Sequence, residues 1–441
     1  MSDMPASPPP HAIGAQKQIS MKAVTAVIIG NWFEFYDFLV YTFFTAMISK
    51  ALLPGDDEGL KLLATLAIFW IGFFTRPLGA AVIGAYADRV GRKAALTLTI
   101  LLMAIGTGTV GLVPGYDQIG IASTLILIAA RLIQGFSVGG ELGPATSYLL
   151  ESAPVEKRAW LVSWQGTSQQ LAAIAGSGIG VFLAYALSEN ELYGWGWRIP
   201  FLLGILIAPV GIYIRRQLPD TIHESEKHES ALAVLSHLFR HHSREVILGF
   251  FAICGGTIST YALLYMTTYA ITTLHLDAQI STMLTFAGAV ISIPAIFIGA
   301  WIADRFGRKP IVIFSRLLFI VIIVPAYLMI SGKGADGTIV IGANLVLNFL
   351  FSLATGGFYA LLTESLPKPV RSSGLSILYA LSVTIFGGSA QFVVQGLIDW
   401  TGDPLMPAWY QIGANLISLT AILLITAHPS EQAALASVKR R

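Results

Sequence analysis

Residues 30 to 44 read GNWFEFYDFLVYTFF and set two carboxylates inside the first long apolar run of the chain. Glu34 and Asp37 are three positions apart, so on a helix they share a face with Gly30 and Tyr41 and can look into one cavity between helices. An ionisable group at membrane depth costs a few kcal/mol even by the gentlest insertion scales. Two acids on one spanning helix therefore point to a polar path for a proton or ion, or else to arginine partners that hold them as structural pairs.

The composition around that stretch is that of a membrane protein. Of 441 residues, 55% are hydrophobic and 12% charged, about half the charged fraction of an ordinary soluble domain. Apolar runs long enough to cross a bilayer lie near 21–49, 61–87, 94–114, 119–151, 158–188 and 198–215, then near 246–274, 280–303, 310–331, 336–364, 371–400 and 406–427. The expected fold is an all-α membrane protein with twelve transmembrane helices in two six-helix pseudo-repeats. Cys254 is the single cysteine, which excludes an internal disulfide and a cysteine-based metal cluster.

Lysines and arginines divide unevenly between alternate loops. One set holds Arg89, Arg92, Lys93, Lys157, Arg158, Arg305, Arg308, Lys309, Lys368 and Arg371; the other holds Lys50, Lys61, Arg198 and Lys333. The positive-inside rule then puts both termini in the cytoplasm, with the chain multi-pass in the inner membrane. Residues 1–20, rich in proline and small polar side chains, read as a disordered cytoplasmic tail; 21–215 as the first six-helix bundle; 216–245 as a cytoplasmic linker; 246–427 as the second bundle; and 428–441 as a second tail. His237, His241 and His242 in the linker admit a metal or pH site or, lacking a ligand-like spacing with carboxylates, a solvated, partly helical connection.

Two motifs recur in equivalent places. ADRVGRK spans 87–93 and ADRFGRK spans 303–309, while Glu151 precedes Arg158 by the same interval as Glu364 precedes Arg371. Duplicated halves follow, as when two six-helix bundles flank a central site. Asp88, Arg89, Arg92, Glu151, Asp304, Arg305, Arg308 and Glu364 are accordingly candidate gate residues, forming and breaking ion pairs at one face as the bundles rock.

The chain resembles the major facilitator superfamily and, within it, the metabolite:proton symporters. The likeness rests on GNWFEFYDF at 30–38, FFTRPLG at 73–79, GAYADRVGRK at 84–93, RLIQGFSVGGELG at 131–143, WGWRIPF at 195–201 and WIADRFGRKP at 301–310. LVPGY at 112–116, SWQGTSQQ at 163–170 and TGDPLMPAW at 401–409 are similar to citrate and tricarboxylate symporters. The resemblance implies secondary transport by alternating access and a proton-coupling role for the arginine of the fourth-span RLIQG motif, Arg131.

Arg131, Gln134, Val138 and Glu141 form one stripe on the fourth span, with Glu141 suited to packing or gating as well as transport. Arg131 beside Glu34 and Asp37 would compete for the same negative charge as an anionic solute, coupling proton to substrate without covalent chemistry. The alternative is a fixed brace, a reading that applies also to Arg76 in its Arg-Pro bend. Candidate solute contacts are Arg76, Arg131, Tyr41, Gln134, Gln165 and Gln169 from the first half, and Tyr261, Tyr265, Asn344, Asn348 and Gln391 from the second. Thr257, Tyr261, Tyr265 and Tyr269 recur every four residues, as a cavity wall or as core, and the amides can line the cavity or bridge helices. Arg316, near one end of the ninth span, is expected to snorkel to the surface.

An inside-negative potential opposes anion entry by about 2.3 kcal/mol per charge per 100 mV, so anion uptake needs compensating cations. The expectation is proton symport of a small organic acid, citrate or a related tricarboxylate, with the proton as coupling ion and no other cofactor, no metal and no nucleic acid, by a monomer in the lipid bilayer. A dicarboxylate, a shikimate-like acid or an osmolyte such as proline or betaine is the alternative substrate; drug export or a non-transporting receptor are further readings. No metalloprotease motif, nucleophile elbow or phosphate loop points to an enzyme.

Overall fold

The computed structural model describes residues 21–90, 92–138, 142–216, 240, 242–332, 336–368 and 371–428, in which nearly every element is helical and no strand occurs. Within these ranges some side chains, those of Asp88, Arg89 and Arg92 among them, lie outside the described set, as do Glu141, His237, His241, the first expected tail and all of the second beyond His428. Helices pass end to end in twelve spans. The first comprises Met21–Phe43 and Thr45–Leu52, the second Glu58–Phe74 and Arg76–Val90, the third Arg92–Leu112, the fourth Ile121–Ser137 and Leu142–Ser152, the fifth Arg158–Ala186 and the sixth Ile199–Arg216. The seventh comprises Ser243–Leu264 and Met266–Thr272, the eighth Ala278–Phe306, the ninth Arg308–Ser331, the tenth Gly337–Ser365, the eleventh Arg371–Ser382 continuing to Thr401, and the twelfth Met406–Leu424. Among the described residues, seven helical stretches are individually long and apolar enough to cross a bilayer.

The breaks follow from local chemistry. The second span bends at Thr75, whose hydroxyl donates to the carbonyls of Gly72 and Leu132, both at 3.0 Å. Arg76 and Pro77 then open a new helix whose first turn needs no amide from the proline. Asp57 and Asp336 cap the second and tenth spans, accepting from Leu60 N and Ile339 N at 3.0 and 2.8 Å. In the eleventh span, Val383–Gly387 forms a π-helical turn, a distortion that commonly marks a working site. Large apolar side chains such as Phe182, Leu206 and Val321 are more than three-fifths exposed, the surface expected of helices facing lipid rather than water.

In the first half the first span packs on the fifth and sixth, the third on the fourth and sixth, and the second on the fourth. The second half repeats the pattern: seventh on eleventh and twelfth, ninth on tenth and twelfth, eighth on tenth. Between halves the second span packs on the eleventh and the fifth on the eighth. Exchanging each span for the one six places along converts one contact into the other, so the interface carries the pseudo-two-fold of the sequence repeat.

Glycines let the second–fourth and eighth–tenth pairs touch backbone to backbone. A Cβ on Gly135 would lie 1.7 Å from the Gly72 carbonyl, and one on Gly356 would lie 2.3 Å from that of Ile296. No side chain can yield there, so the helices themselves must part. Gly135→Ala and Gly356→Ala are each expected to lower stability by about 1–3 kcal/mol. Gly342→Ala, with open space around it, should leave the melting temperature of the detergent-solubilised protein unchanged.

Candidate functional site

A central cavity lies between the halves. From the first half it is lined by Phe35, Phe38 and Leu39 of the first span and Gln169 and Gln170 of the fifth; from the second half by Thr257, Thr260 and Tyr261 of the seventh, Thr285 of the eighth, Arg316 of the ninth, Asn348, Thr355 and Tyr359 of the tenth, and Tyr379 of the eleventh. The aromatic side chains supply apolar walls, while amides and hydroxyls point in at intervals, the usual composition of a small-molecule site. The Tyr359 hydroxyl stands between Gln169 and Tyr379, joining the halves across the cavity.

A second, smaller pocket sits within the first half. Asp37, Phe38, Phe73, Arg76, Met103, Arg131 and Gln134 line it, and Phe38 alone among these faces both spaces. Asp37 is buried beside the Thr107 hydroxyl. Thr107 Oγ1 accepts from Gln134 Nε2 at 2.8 Å, and Gln134 Oε1 accepts from Arg131 Nη1 at 2.7 Å. Acid and guanidinium are thus bridged by a hydroxyl and an amide. The Arg131 guanidinium lies over the rings of Tyr41, Phe69 and Phe38, with centroids 4.3, 5.1 and 5.9 Å away; aromatic faces compensate part of what a buried cation loses by leaving water. Arg76 lies over Phe73 at 4.1 Å.

The described candidate solute and coupling side chains divide between these two spaces and the helix contacts around them. Asp37, Arg131, Gln134 and Arg76 gather in the side pocket, and Gln169, Tyr261 and Asn348 line the central cavity. Glu34 is half-buried between them, close enough to Tyr261 and Tyr379 to act on both electrostatically. The Tyr41 hydroxyl donates to Thr65 O at 3.0 Å and Asn344 Nδ2 to Leu284 O at 2.7 Å, both away from the cavity. Gln165 Nε2 donates to Asn31 Oδ1 at 2.7 Å, clasping the first and fifth spans, and Gln391 Nε2 to Tyr261 O at 3.2 Å. Tyr265 donates to Gln395 and Tyr269 to Pro404 O, so the tyrosine stripe reaches the cavity only through Tyr261.

Arg316 is the side chain the sequence placed wrongly. It does not snorkel: it is 4% exposed and lines the central cavity. Eight residues beyond Arg308, its Cα lies about 12 Å deeper along the helix, and Asn415 of the twelfth span holds it there, accepting from Nη1 at 2.8 Å. The signal available in the sequence was that depth, together with Asn415 in a facing span. Thr107 was also missed, because a threonine in an apolar run carries no periodic signature.

At the end bearing the repeated motifs, the halves are tied by charge. Glu364 lies 3.6 Å from Arg158 and 3.4 Å from Arg308, and Arg308 lies 3.3 Å from Asp304. Glu151 faces Arg371 at 3.3 Å. The equal Glu-to-Arg intervals are therefore used reciprocally, each half's acid meeting the other half's arginine. Asp304 also accepts from the backbone N–H groups of Ala159 and Trp160, both at 2.9 Å, capping the fifth span from the opposite half. Arg305 is exposed and rests against Trp301 and Phe306. Beside the cavity, Trp70 Nε1 donates to Thr384 O at 2.9 Å and Phe38, Phe69 and Phe73 close around the Tyr261 ring, and where the fifth span ends and the eighth begins Gln279 Nε2 donates to Ala184 O at 3.3 Å. Contacts between the halves thus lie at both ends of the spans as well as beside the cavity.

Comparison with known proteins adds three findings. The profile of the Major Facilitator Superfamily matches residues 27–391. A citrate-proton symporter of Klebsiella pneumoniae is 33% identical over 401 residues, 90% of each chain, and one of Salmonella typhi is 33% identical over 94% of this chain and 96% of its own. A putative proline/betaine transporter of Staphylococcus aureus (strain COL) is also 33% identical, over 92% and 87%. Among solved structures, a D-xylose-proton symporter superposes with a TM-score of 0.72 over 91% of this chain and 96% of its own, at 17% identity.

Proposed function

The chain belongs to the Major Facilitator Superfamily, and from that premise we propose that it imports a small carboxylate-bearing solute together with protons, by alternating access of the central cavity, with citrate or a related tricarboxylate as its substrate. The observation that carries the reading is the bridged set Asp37, Thr107, Gln134 and Arg131, in a side pocket separated from the cavity by the Phe38 ring. Protonation of Asp37 removes one charge from that set and changes what Thr107 and Gln134 can accept, so the Arg131 bond to Gln134 and the packing of Phe38 shift with it. Solute on one side of Phe38 and proton on the other then bias the same element, as linkage requires.

Citrate is favoured over the osmolytes by charge. Both kinds of relative carry solutes with a carboxylate, but the described lining of this cavity holds a cation and no acid, a match for an anion rather than a zwitterion. The motif-bearing end faces the cytoplasm in this reading, and the membrane is the inner membrane.

The test is uptake into proteoliposomes of labelled citrate, succinate, shikimate, proline and betaine, with and without an imposed pH gradient. Gradient-dependent accumulation of citrate above the other solutes is expected. Accumulation that ignores the gradient, or that favours betaine, would overturn the coupling or the substrate respectively.

A further inference from the structure

We infer that Arg316 is the anchor for a solute carboxylate in the central cavity. The inference deepens the proposed function by naming the group that recognises the substrate and the chemical class it selects.

Four observations converge on this side chain. Arg316 is 4% exposed in a membrane-spanning helix, yet its guanidinium faces the cavity. One donor, Nη1, is satisfied by Asn415 Oδ1 at 2.8 Å, while Nε has no hydrogen-bond partner. No carboxylate pairs with it among the described residues; besides Asn415 it meets the face of Phe358 at 5.2 Å. Gly256 lets the guanidinium pack against the seventh span, since a Cβ there would come within 2.9 Å of Nη2, and the central cavity supplies the open space. A buried arginine ordinarily has a carboxylate at hand. Here the acid is missing, the space is present, and the fork geometry of a guanidinium suits a carboxylate entering that space.

Asn415 is placed to orient rather than to neutralise. Its amide donates to Ser259 Oγ at 2.7 Å and to Gln411 O at 2.8 Å, which fixes its oxygen toward Arg316. The arginine is thereby held in one pose at the cavity wall. It is the lone cation among the described lining residues, so a solute carboxylate is the charge that pairs with it inside the cavity. Further carboxylates of a di- or tricarboxylate would meet neutral donors, the hydroxyls of Tyr359 and Tyr379 and the amides of Gln169 and Asn348.

The experiment measures equilibrium binding of citrate, succinate, betaine and the uncharged trimethyl ester of citrate to the purified full-length protein, by calorimetry and thermal shift, beside proteoliposome uptake. Citrate and succinate should bind the wild type and the ester should not. Arg316→Gln should weaken citrate at least about thirtyfold, the worth of a charge-assisted pair, and Arg316→Lys should recover part of the loss. Asn415→Asp is the second variant: it supplies an internal carboxylate to Arg316, so it should fold at least as stably as the wild type yet lose citrate about tenfold or more. An arginine that merely braced the twelfth span would bind citrate unchanged in Asn415→Asp, and that result overturns the anchor. Undiminished citrate accumulation by Arg316→Gln also overturns it and leaves proton symport standing. Arg316-dependent binding by a wild type that accumulates nothing supports the anchor and removes the symport reading instead.

Discussion

Asp37→Asn is expected to collapse pH-driven accumulation to the level of passive equilibration. One pH unit is worth about 1.36 kcal/mol per proton, so the loss is about tenfold for each coupled proton under a one-unit gradient. The substitution keeps the shape of the side chain, and shape matters at this position: the carboxyl lies against Gly204, where a Cβ would come within 2.9 Å of Oδ1. An amide can still meet Thr107 but can neither gain nor lose the proton. Because Asp37 lines the side pocket and not the central cavity, solute binding and solute–solute exchange should persist within a few-fold of wild type. Exchange assayed across proteoliposomes at equal pH on both sides separates the two effects. If Asp37→Asn still concentrates solute under a gradient, the coupling role passes to another group, and half-buried Glu34, within electrostatic reach of Tyr261 and Tyr379, is the next acid to substitute.

The twelve spans were legible because hydrocarbon leaves a chain few choices: every backbone amide must be satisfied internally, so long apolar runs become helices and charges retreat to loops. The doubling was legible in the two loop motifs and in the equal Glu-to-Arg intervals. What the intervals could not convey is that the pairs cross, Glu364 to Arg158 and Glu151 to Arg371, since spacing along one chain does not say which half supplies the partner. At the site, helical periodicity grouped side chains by face without telling which neighbour each face meets. Asp37, Arg131 and Gln134 share a pocket, whereas Gln165, Asn344 and Gln391, equally periodic, turn to Asn31, Leu284 O and Tyr261 O. A buried amide in lipid needs some partner, and a backbone carbonyl on an adjacent helix satisfies it as well as a solute does. Arg316 was misread for a related reason. A basic residue toward the end of a span usually reaches the interface, and only the packing of Asn415 and Phe358 reveals that this one is held at depth.

The crossed pairs are equivalent in sequence and unequal in energy, and that inequality yields the second large expected effect. Glu364 is 2% exposed and lies between Arg158 and Arg308, themselves 11% and 7% exposed, whereas Glu151 is 53% exposed opposite buried Arg371. Removing one partner of a buried pair leaves uncompensated charge and costs about 3–5 kcal/mol, while an exposed pair contributes about 0–1 kcal/mol. Arg308 keeps Asp304 at 3.3 Å when Glu364 is neutralised, so the lower end of the first range applies. Under the proposed alternating access these contacts exist only while the motif-bearing end is closed, and their loss would then fall on the closed state alone. Glu364→Gln should shift the equilibrium toward opening at that end by about a hundredfold, and Glu151→Gln by about tenfold or less, because Glu151 is half in solvent and buried Arg371 keeps Leu366 O. A reporter cysteine at cavity-lining Thr355, introduced as Thr355→Cys in a Cys254→Ser background, reads the difference as the rate of maleimide modification from the motif-bearing side. Equal acceleration by the two substitutions would mean that both pairs are solvated in the working protein and that the halves are held shut by the Asp304 cap on the fifth span instead. Asp304→Asn, which retains one acceptor for the two backbone amides now bound at 2.9 Å, would then open the end where Glu364→Gln had not.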